Sequence, residues 1–312
     1  MVFRTRTIFI TSSITILCLM LLSFSGFQLT APVRAASSPS PRAQISKNIV
    51  YGPQPDEVLD LCLPDGAPVS RPGIIMIHGG SWVEGDKSTY DAMCQEYAQQ
   101  GYVVATINYR LAPQYQWPDQ IGDVQLAVRY LRANASSLGL DPRTICALGD
   151  SAGAHLALLL DVLQTIHPSD VASLYSTLSP AVQCVVDQFG PTDLAQLYQE
   201  NPGVQQYIYE LLDYQTPPAP IYTEASPLDN LTGQTGPALI IQGTQDQTVL
   251  PDQSEELYQA FLQGQLSAQY LSYDGGHEYK GLSPAQMDAI LDQINHFLNS
   301  FEQPGSHSYF PS

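Results

Sequence analysis

Residues 144–164 read TICALGDSAGAHLALLLDVLQ, and the fold turns on this stretch. Residues 144–148 are a short apolar run, as a buried strand requires. From Ala152 onward the chain is again almost wholly apolar, now long enough for a buried helix. Between them stands Gly149-Asp150-Ser151-Ala152-Gly153, the pattern G-x-S-x-G in a strand-to-helix setting. A serine in that place sits on a sharp turn with its hydroxyl projecting outward. The flanking glycines let strand and helix approach closely. The Ala152 amide, at a helix N-terminus, points at any developing oxyanion.

Outward from this turn, strands and helices alternate. Residues 48–51 and 58–63 read as short strands. Residues 73–77 form a buried strand ending at His78-Gly79-Gly80. Tyr90, Met93, Tyr97 and Ala98 mark a helix stripe within residues 86–100, closed by Gly101. Residues 102–107 are a strand, and Val124, Ala127, Val128 and Leu131 mark the next helix. Strands follow at 184–187, 238–242 and 268–273, and helices at 252–263 and 284–301. Apolar strands alternating with amphipathic helices predict a mostly parallel sheet covered on both faces, with ligands at the carboxyl ends of the strands. Residues 194–236 break the rhythm. They carry many Tyr, Gln and Pro, hold no clear strand, and have room for one or two short helices. This segment reads as a lid, whose Tyr198, Tyr207, Tyr209, Tyr214 and Tyr222 either stack on a sugar or aromatic ring or simply pack.

Composition narrows the partners. The 312 residues are 44% hydrophobic and 13% charged, enough to bury a large core and too sparsely charged for charge-driven disorder. Thirty acids against 12 bases give a formal charge of −18, which repels phosphate backbones and excludes general nucleic-acid binding. Arg4 and Arg6, an apolar run over residues 8–27 and the small-x-small Val33-Arg34-Ala35 predict a secretory signal over 1–35. The expected location is secreted or extracytoplasmic, an uncleaved membrane anchor being the alternative. Cleavage removes three bases and no acid, moving the formal charge to −21, and leaves no stable membrane insertion. Residues 36–45 read as a flexible leader, 46–302 as the folded domain and 303–312 as a tail. Cys62, Cys94, Cys146 and Cys184 are widely spaced in apolar stretches, the usual setting of buried free thiols. One bridge between Cys146 and Cys184 stays open, because their strands are expected to be neighbours. No spacing suggests a metal site, and the oligomeric state is not readable.

A serine hydroxyl needs a base, and the base needs an orienting group. His277 follows the last strand in Asp274-Gly275-Gly276-His277, a loop able to reach the sheet centre. His78, His155, His167, His296 and His307 read as structural. Asp246 lies just past the strand at 238–242 and is the expected orienting carboxylate. Asp193 is the fallback, and Asp252 reads as a helix cap. In His78-Gly79-Gly80-Ser81-Trp82 the Gly80 and Ser81 amides are candidate oxyanion donors beside Ala152, with Gly79 shaping the turn. Trp82 and Asp150 are candidate substrate contacts, Trp82 equally a core residue. Asp119 and Asp123 line the site or, preferably, cap a helix.

Taken together, these stretches resemble a known group. The run from His78 to Lys87 is similar to the oxyanion loop of α/β-hydrolase esterases of the BD-FAE and hormone-sensitive-lipase-like families. Asn108-Tyr109-Arg110-Leu111-Ala112-Pro113, the serine turn, Ser226-Pro227 and Gly243-Thr244-Gln245-Asp246 continue the likeness in order. The resemblance implies an α/β-hydrolase fold with an eight-stranded, mostly parallel sheet. It also implies carboxylic-ester hydrolysis through an acyl-enzyme on Ser151, His277 and Asp246, with no cofactor. Ser81 stands where a third glycine is common, Ala154 where another glycine is frequent, and Gln242 where a histidine is common. No long N-terminal helical cap fits before the first strands, which favours the smaller BD-FAE-like form. Formamidases, amidases and dipeptide-releasing peptidases share this framework, and a non-catalytic binder on it would show a broken triad.

Overall fold

The computed structural model describes residues 43–66, 70–163 and 174–301. The expected signal, most of the leader, the tail, Cys18, His167 and His307 lie outside the described residues. Eight strands form one sheet: β1 (Ile45–Val50), β2 (Val58–Cys62), β3 (Arg71–Ile77), β4 (Val103–Ile107), β5 (Leu140–Asp150), β6 (Cys184–Gln188), β7 (Ala238–Gly243) and β8 (Ala268–Tyr273). Their order is β1-β2-β4-β3-β5-β6-β7-β8. β2 runs antiparallel to β1 and β4, and every pairing from β4 to β8 is parallel. This is the α/β-hydrolase fold that the resemblance implies.

Alternate residues of each strand feed two cores. Ile75, Ile77, Ala147, Val185 and Ile240 face α2 (Asp119–Ala133), α4 (Ala152–Val162) and α8 (Pro251–Gln263). Ile74, Met76, Leu148, Val186 and Ile241 face α1 (Asp91–Gln100) and α9 (Pro284–Asn299). Burial on both faces explains the continuous apolar strands. The helix expected over 86–100 is divided. Asp86 caps a 3-10 turn, Lys87–Tyr90, through Ser88 N, and α1 starts only at Asp91. Residues 194–236 hold α5 (Leu194–Glu200), α6 (Gln205–Leu211), α7 (Pro220–Glu224) and a 3-10 turn, Pro227–Asn230, more helix than expected. Four-residue α3 (Ala135–Leu138) completes the helices among the described residues.

The cysteines correct the free-thiol expectation. Cys146 and Cys184 are register partners on β5 and β6 and form a disulfide, and Cys62 of β2 is bridged to Cys94 of α1. All four point to the α1/α9 face, where apolar burial places the sulfurs together. Asp119 and Asp123 do not cap α2, whose N-terminal position is Pro118. Asp123 is wholly buried and takes the Arg110 guanidinium at 2.6–3.0 Å, and Asp119 reaches the same guanidinium at 3.1 Å. Lys87 is also buried, paired with Asp60 at 3.2 Å.

Asp187 of β6 is fully buried, with Oδ1 accepting the Gly190 amide at 2.8 Å. Burial pushes its carboxyl up to about 7, against the pull of that amide. The folded chain therefore holds a proton on Asp187 that the unfolded chain releases near 3.8. Stability contributed by this group is full at acid pH and is lost as pH rises towards about 7. In urea melts at a series of pH values, Asp187→Asn gains on the wild type between about pH 4 and 7. Replacing Cys146 and Cys184 together by Ala opens a link across 38 residues and lowers unfolding free energy by about 2–4 kcal/mol in the same melts.

Candidate active site

Three strand ends meet at Ser151. The residue lies between β5 and α4 with φ 50° and ψ −120°, a left-handed backbone rarely adopted by a residue with a side chain. Two features hold it there. Its amide donates to the Gln188 carbonyl at 2.9 Å. The helix also leaves the turn so close to the sheet that a Cβ on Gly153 would lie 2.0 Å from the Ile77 carbonyl oxygen. A Cβ on Gly149 would likewise lie 2.4 Å from Gly153.

His277 opens a 3-10 turn, His277–Tyr279, after β8. Its Nε2 is 3.0 Å from Ser151 Oγ and its Nδ1 is 2.7 Å from Asp246 Oδ2. Asp246 is wholly buried in the loop after β7. Its Oδ1 accepts the amides of Thr248 at 2.8 Å and Val249 at 3.0 Å, and its Oδ2 accepts Gln242 Nε2 at 3.3 Å. A carboxylate so held accepts a hydrogen bond from Nδ1–H, leaving the Nε2 lone pair facing the serine hydroxyl. Phe189 sits edge-on to the imidazole at 4.8 Å. Asp193, the fallback, instead caps α5 through Gln196 N at 2.9 Å. Asp252 lies inside the first turn of α8, where its charge suits the helix dipole without capping it.

The loop after β3 faces the same point. The Gly79 amide donates to Asp150 Oδ1 at 3.1 Å, so Gly79 shapes the turn and is not a donor to a substrate. The amides of Gly80, Ser81 and Ala152 make no hydrogen bond to a described residue. Asp150 is committed to the loop as well, because its Oδ1 also accepts Tyr90 Oη at 2.6 Å. Burial raises its carboxyl pKa against these two donors. Trp82 is buried in the core with its Nε1–H donated to His155 Nδ1 at 3.2 Å, as its packing reading expects. His78 holds the loop, its Nδ1 donating to the Gly79 carbonyl at 2.7 Å and its ring stacked on Tyr109 at 4.5 Å.

Three further residues tie these pieces together. Tyr279 Oη donates to Gln188 Oε1 at 2.6 Å, and Gln188 Nε2 donates to the Gly149 carbonyl at 3.1 Å. Tyr90 joins the serine turn through Asp150 Oδ1. Gln188 thereby links the serine turn to the histidine loop, and Asp150 links Tyr90 and the glycine loop to the same turn. The only sequence signal for Gln188 was its place at the end of a strand beside the serine strand. Tyr90 read simply as helix packing, and Tyr279 gave no signal beyond following His277.

The BD-FAE family model matches residues 59–261. The chain is 29% identical to the esterase LipC of Mycobacterium tuberculosis over 262 residues, 81% of this chain and 64% of LipC. It is 26% identical to a probable isoprenylcysteine alpha-carbonyl methylesterase, ICMEL1, of Arabidopsis thaliana, over 74% of this chain and 50% of that protein. The chain thus covers less than two thirds of the length of either relative. Among solved structures, a truncated carbohydrate esterase from gut microbiota superposes with a TM-score of 0.71 at 25% identity, covering 84% of this chain and 99% of the other. The thermophilic esterase Est2 of Thermogutta terrifontis shares the fold, with a TM-score of 0.69 at 23% identity over 86% of this chain and 96% of its own.

Ile77 O is backbone and cannot swing aside. Gly153→Ala is therefore expected to lower the urea midpoint by the equivalent of about 3 kcal/mol, the upper end of ordinary overpacking. A midpoint unchanged from the wild type would show that helix and sheet can separate here.

Proposed function

The chain belongs to the BD-FAE family, and from that membership and the geometry around Ser151 we propose that it is an exported serine hydrolase of carboxylic esters. One observation carries the reading. Ser151, His277 and Asp246 form a continuous hydrogen-bonded line of 3.0 and 2.7 Å, beside three unengaged backbone amides.

The reaction follows from these positions. Ser151 Oγ attacks the acyl carbon while His277 Nε2 takes its proton. The carbonyl electrons become an oxyanion held by the amides of Gly80, Ser81 and Ala152. One such donor is worth about 2.7–4 kcal/mol of barrier. The imidazolium, steadied by the Asp246 carboxylate, then protonates the departing alcohol. Water enters against the acyl-enzyme by the same proton route in reverse and releases the acid. The favoured acyl group is short to medium, because the Ser81 side chain stands beside the donors where a glycine would leave more room. The negative surface disfavours anionic substrates.

Residues 194–236 serve as the lid in this reading. Tyr198 and Tyr222 pack edge-on at 5.9 Å and Tyr222 is buried, whereas Tyr207 and Tyr214 keep exposed rings. Acetylated sugars therefore belong among the substrates tried. Export is supported by the signal pattern of residues 1–35 and by two buried disulfides, which persist in oxidising compartments. Among the described residues no helix is long and apolar enough to cross a membrane.

Hydrolysis of p-nitrophenyl esters from acetate to palmitate tests the proposal. Short chains are expected to be turned over, and Ser151→Ala to lose kcat by at least about 10⁴-fold. Asp246→Asn leaves the fold intact and lowers kcat by about 10⁴-fold, as loss of the oriented tautomer does elsewhere. Turnover surviving Ser151→Ala would remove the nucleophile assignment. A folded protein inert to every ester would direct the search to formyl amides and peptides.

A further inference from the structure

The backbone of the glycine loop is held in an unfavourable shape. Gly80, Ser81 and Trp82 follow one another with φ of 110°, 50° and 62°. Two of the three carry side chains, for which such backbone costs on the order of 1 kcal/mol or more each. A run of this kind persists only where its surroundings over-determine it. Trp82 is pinned at two points. Its carbonyl accepts the Ala112 amide at 2.9 Å, and its indole Nε1–H donates to His155 Nδ1 at 3.2 Å, the rings edge-on at 5.1 Å.

His155 lies one helical turn after Ser151 and is completely buried. Its second nitrogen, Nε2, donates to the Ala225 carbonyl at 2.7 Å. The two bonds fix one tautomer, with the proton on Nε2 and the lone pair on Nδ1. Burial pulls the imidazole pKa down to about 4, against the Ala225 carbonyl, so the ring is neutral at neutral pH. Ala225 adjoins Ser226, whose Oγ accepts the Leu194 amide at 3.0 Å and donates to the Tyr222 carbonyl at 2.7 Å. The start and the later part of residues 194–236 are thus tied together next to this histidine.

We propose that His155 is a positioning residue for the oxyanion donors: by accepting the Trp82 N–H it holds the Gly80 and Ser81 amides in their left-handed run, and by donating to Ala225 it anchors segment 194–236 to the helix that begins at the nucleophile. The proposal rests on the reading of those amides as the oxyanion site. His155 touches no reacting atom, and its effect passes through the loop backbone.

Two conservative variants separate its two bonds. In His155→Asn the amide oxygen falls near the place of Nδ1 and keeps an acceptor for Trp82. In His155→Gln the amide nitrogen falls near the place of Nε2 and keeps only the donor to Ala225. Trp82→Phe keeps an aromatic ring and removes the N–H. Each is assayed for kcat and KM on p-nitrophenyl acetate, for urea midpoint, and for affinity towards an alkyl trifluoromethyl ketone. On that ketone Ser151 Oγ bonds to the carbonyl carbon, its proton passes to His277, and the carbonyl π electrons form an oxyanion at the donors.

His155→Gln and Trp82→Phe are expected to lower kcat and ketone affinity together by about tenfold or more, with KM little changed. That is less than the about 10²–10³-fold cost of losing a donor outright. His155→Asn is expected to stay within about threefold of the wild type, by the same scale. The Trp82→Phe/His155→Gln pair is expected to lose no more than either single variant, because both break one bond. Equal losses in Asn and Gln, or a lower urea midpoint with kcat and ketone affinity unchanged, would overturn the proposal. If His155→Gln does not fold, Trp82→Phe decides on the same readouts. Ester turnover that survives Ser151→Ala would instead overturn the reading on which the proposal rests, whatever these variants do.

Discussion

Helix α4 leaves the sheet so close to the end of β3 that Gly153 and the Ile77 carbonyl share space only a hydrogen atom can occupy. Much of the local geometry depends on that approach. It brings the N-terminus of α4 against the start of the glycine loop, where a Cβ on Gly153 would also lie 2.6 Å from the His78 carbonyl oxygen. It also fixes the turn that carries Ser151 in a left-handed backbone, with the hydroxyl towards His277. The energy for this strain comes from two large apolar cores and from hydrogen bonds such as Ser151 N to Gln188 O.

How much was legible follows from what kind of signal each part leaves. Strands buried on both faces leave apolar runs, so β3 to β7 could be located from the residues alone, whereas the half-exposed edge strand β8 leaves a mixed pattern. The serine turn leaves a local pattern because steric crowding demands glycine at fixed offsets. His277 and Asp246 leave only their places after strands, yet in a parallel sheet that is informative, since those ends face one edge. Two glycines before His277 and one before Asp246 sharpened the reading.

What stayed hidden depends on contacts between distant segments. Gln188 ends a strand while Tyr90 and Tyr279 end two separate 3-10 turns, and no local pattern marks a residue as part of such a network. The disulfides were hidden for a related reason. An apolar setting suits a thiol and a bridge equally well, and only strand register and the packing of α1 on β2 place the sulfurs as partners. Trp82 and Asp150 flank the reacting groups in sequence, which made them look like substrate contacts. In space Trp82 Nε1 and Asp150 Oδ1 are engaged with the chain itself and hold the loop. Arg110 explains Asp123 in the same way: a carboxylate inside a helix is tolerable because a guanidinium from 13 residues earlier in the chain is buried against it.

Ser151 and His277 are 126 positions apart, and the histidine arrives only after β8, the last strand of the sheet. On the proposed reading, the nucleophile Ser151 emerges first during synthesis, and every later strand must follow before the base His277 can meet it. A partly made chain therefore carries an unactivated serine. Competence is acquired last, when the terminal strand docks and closes the sheet, and long-range closure of this kind is among the slower events of folding. That order of assembly leaves the serine without its partner until β8 has joined the sheet.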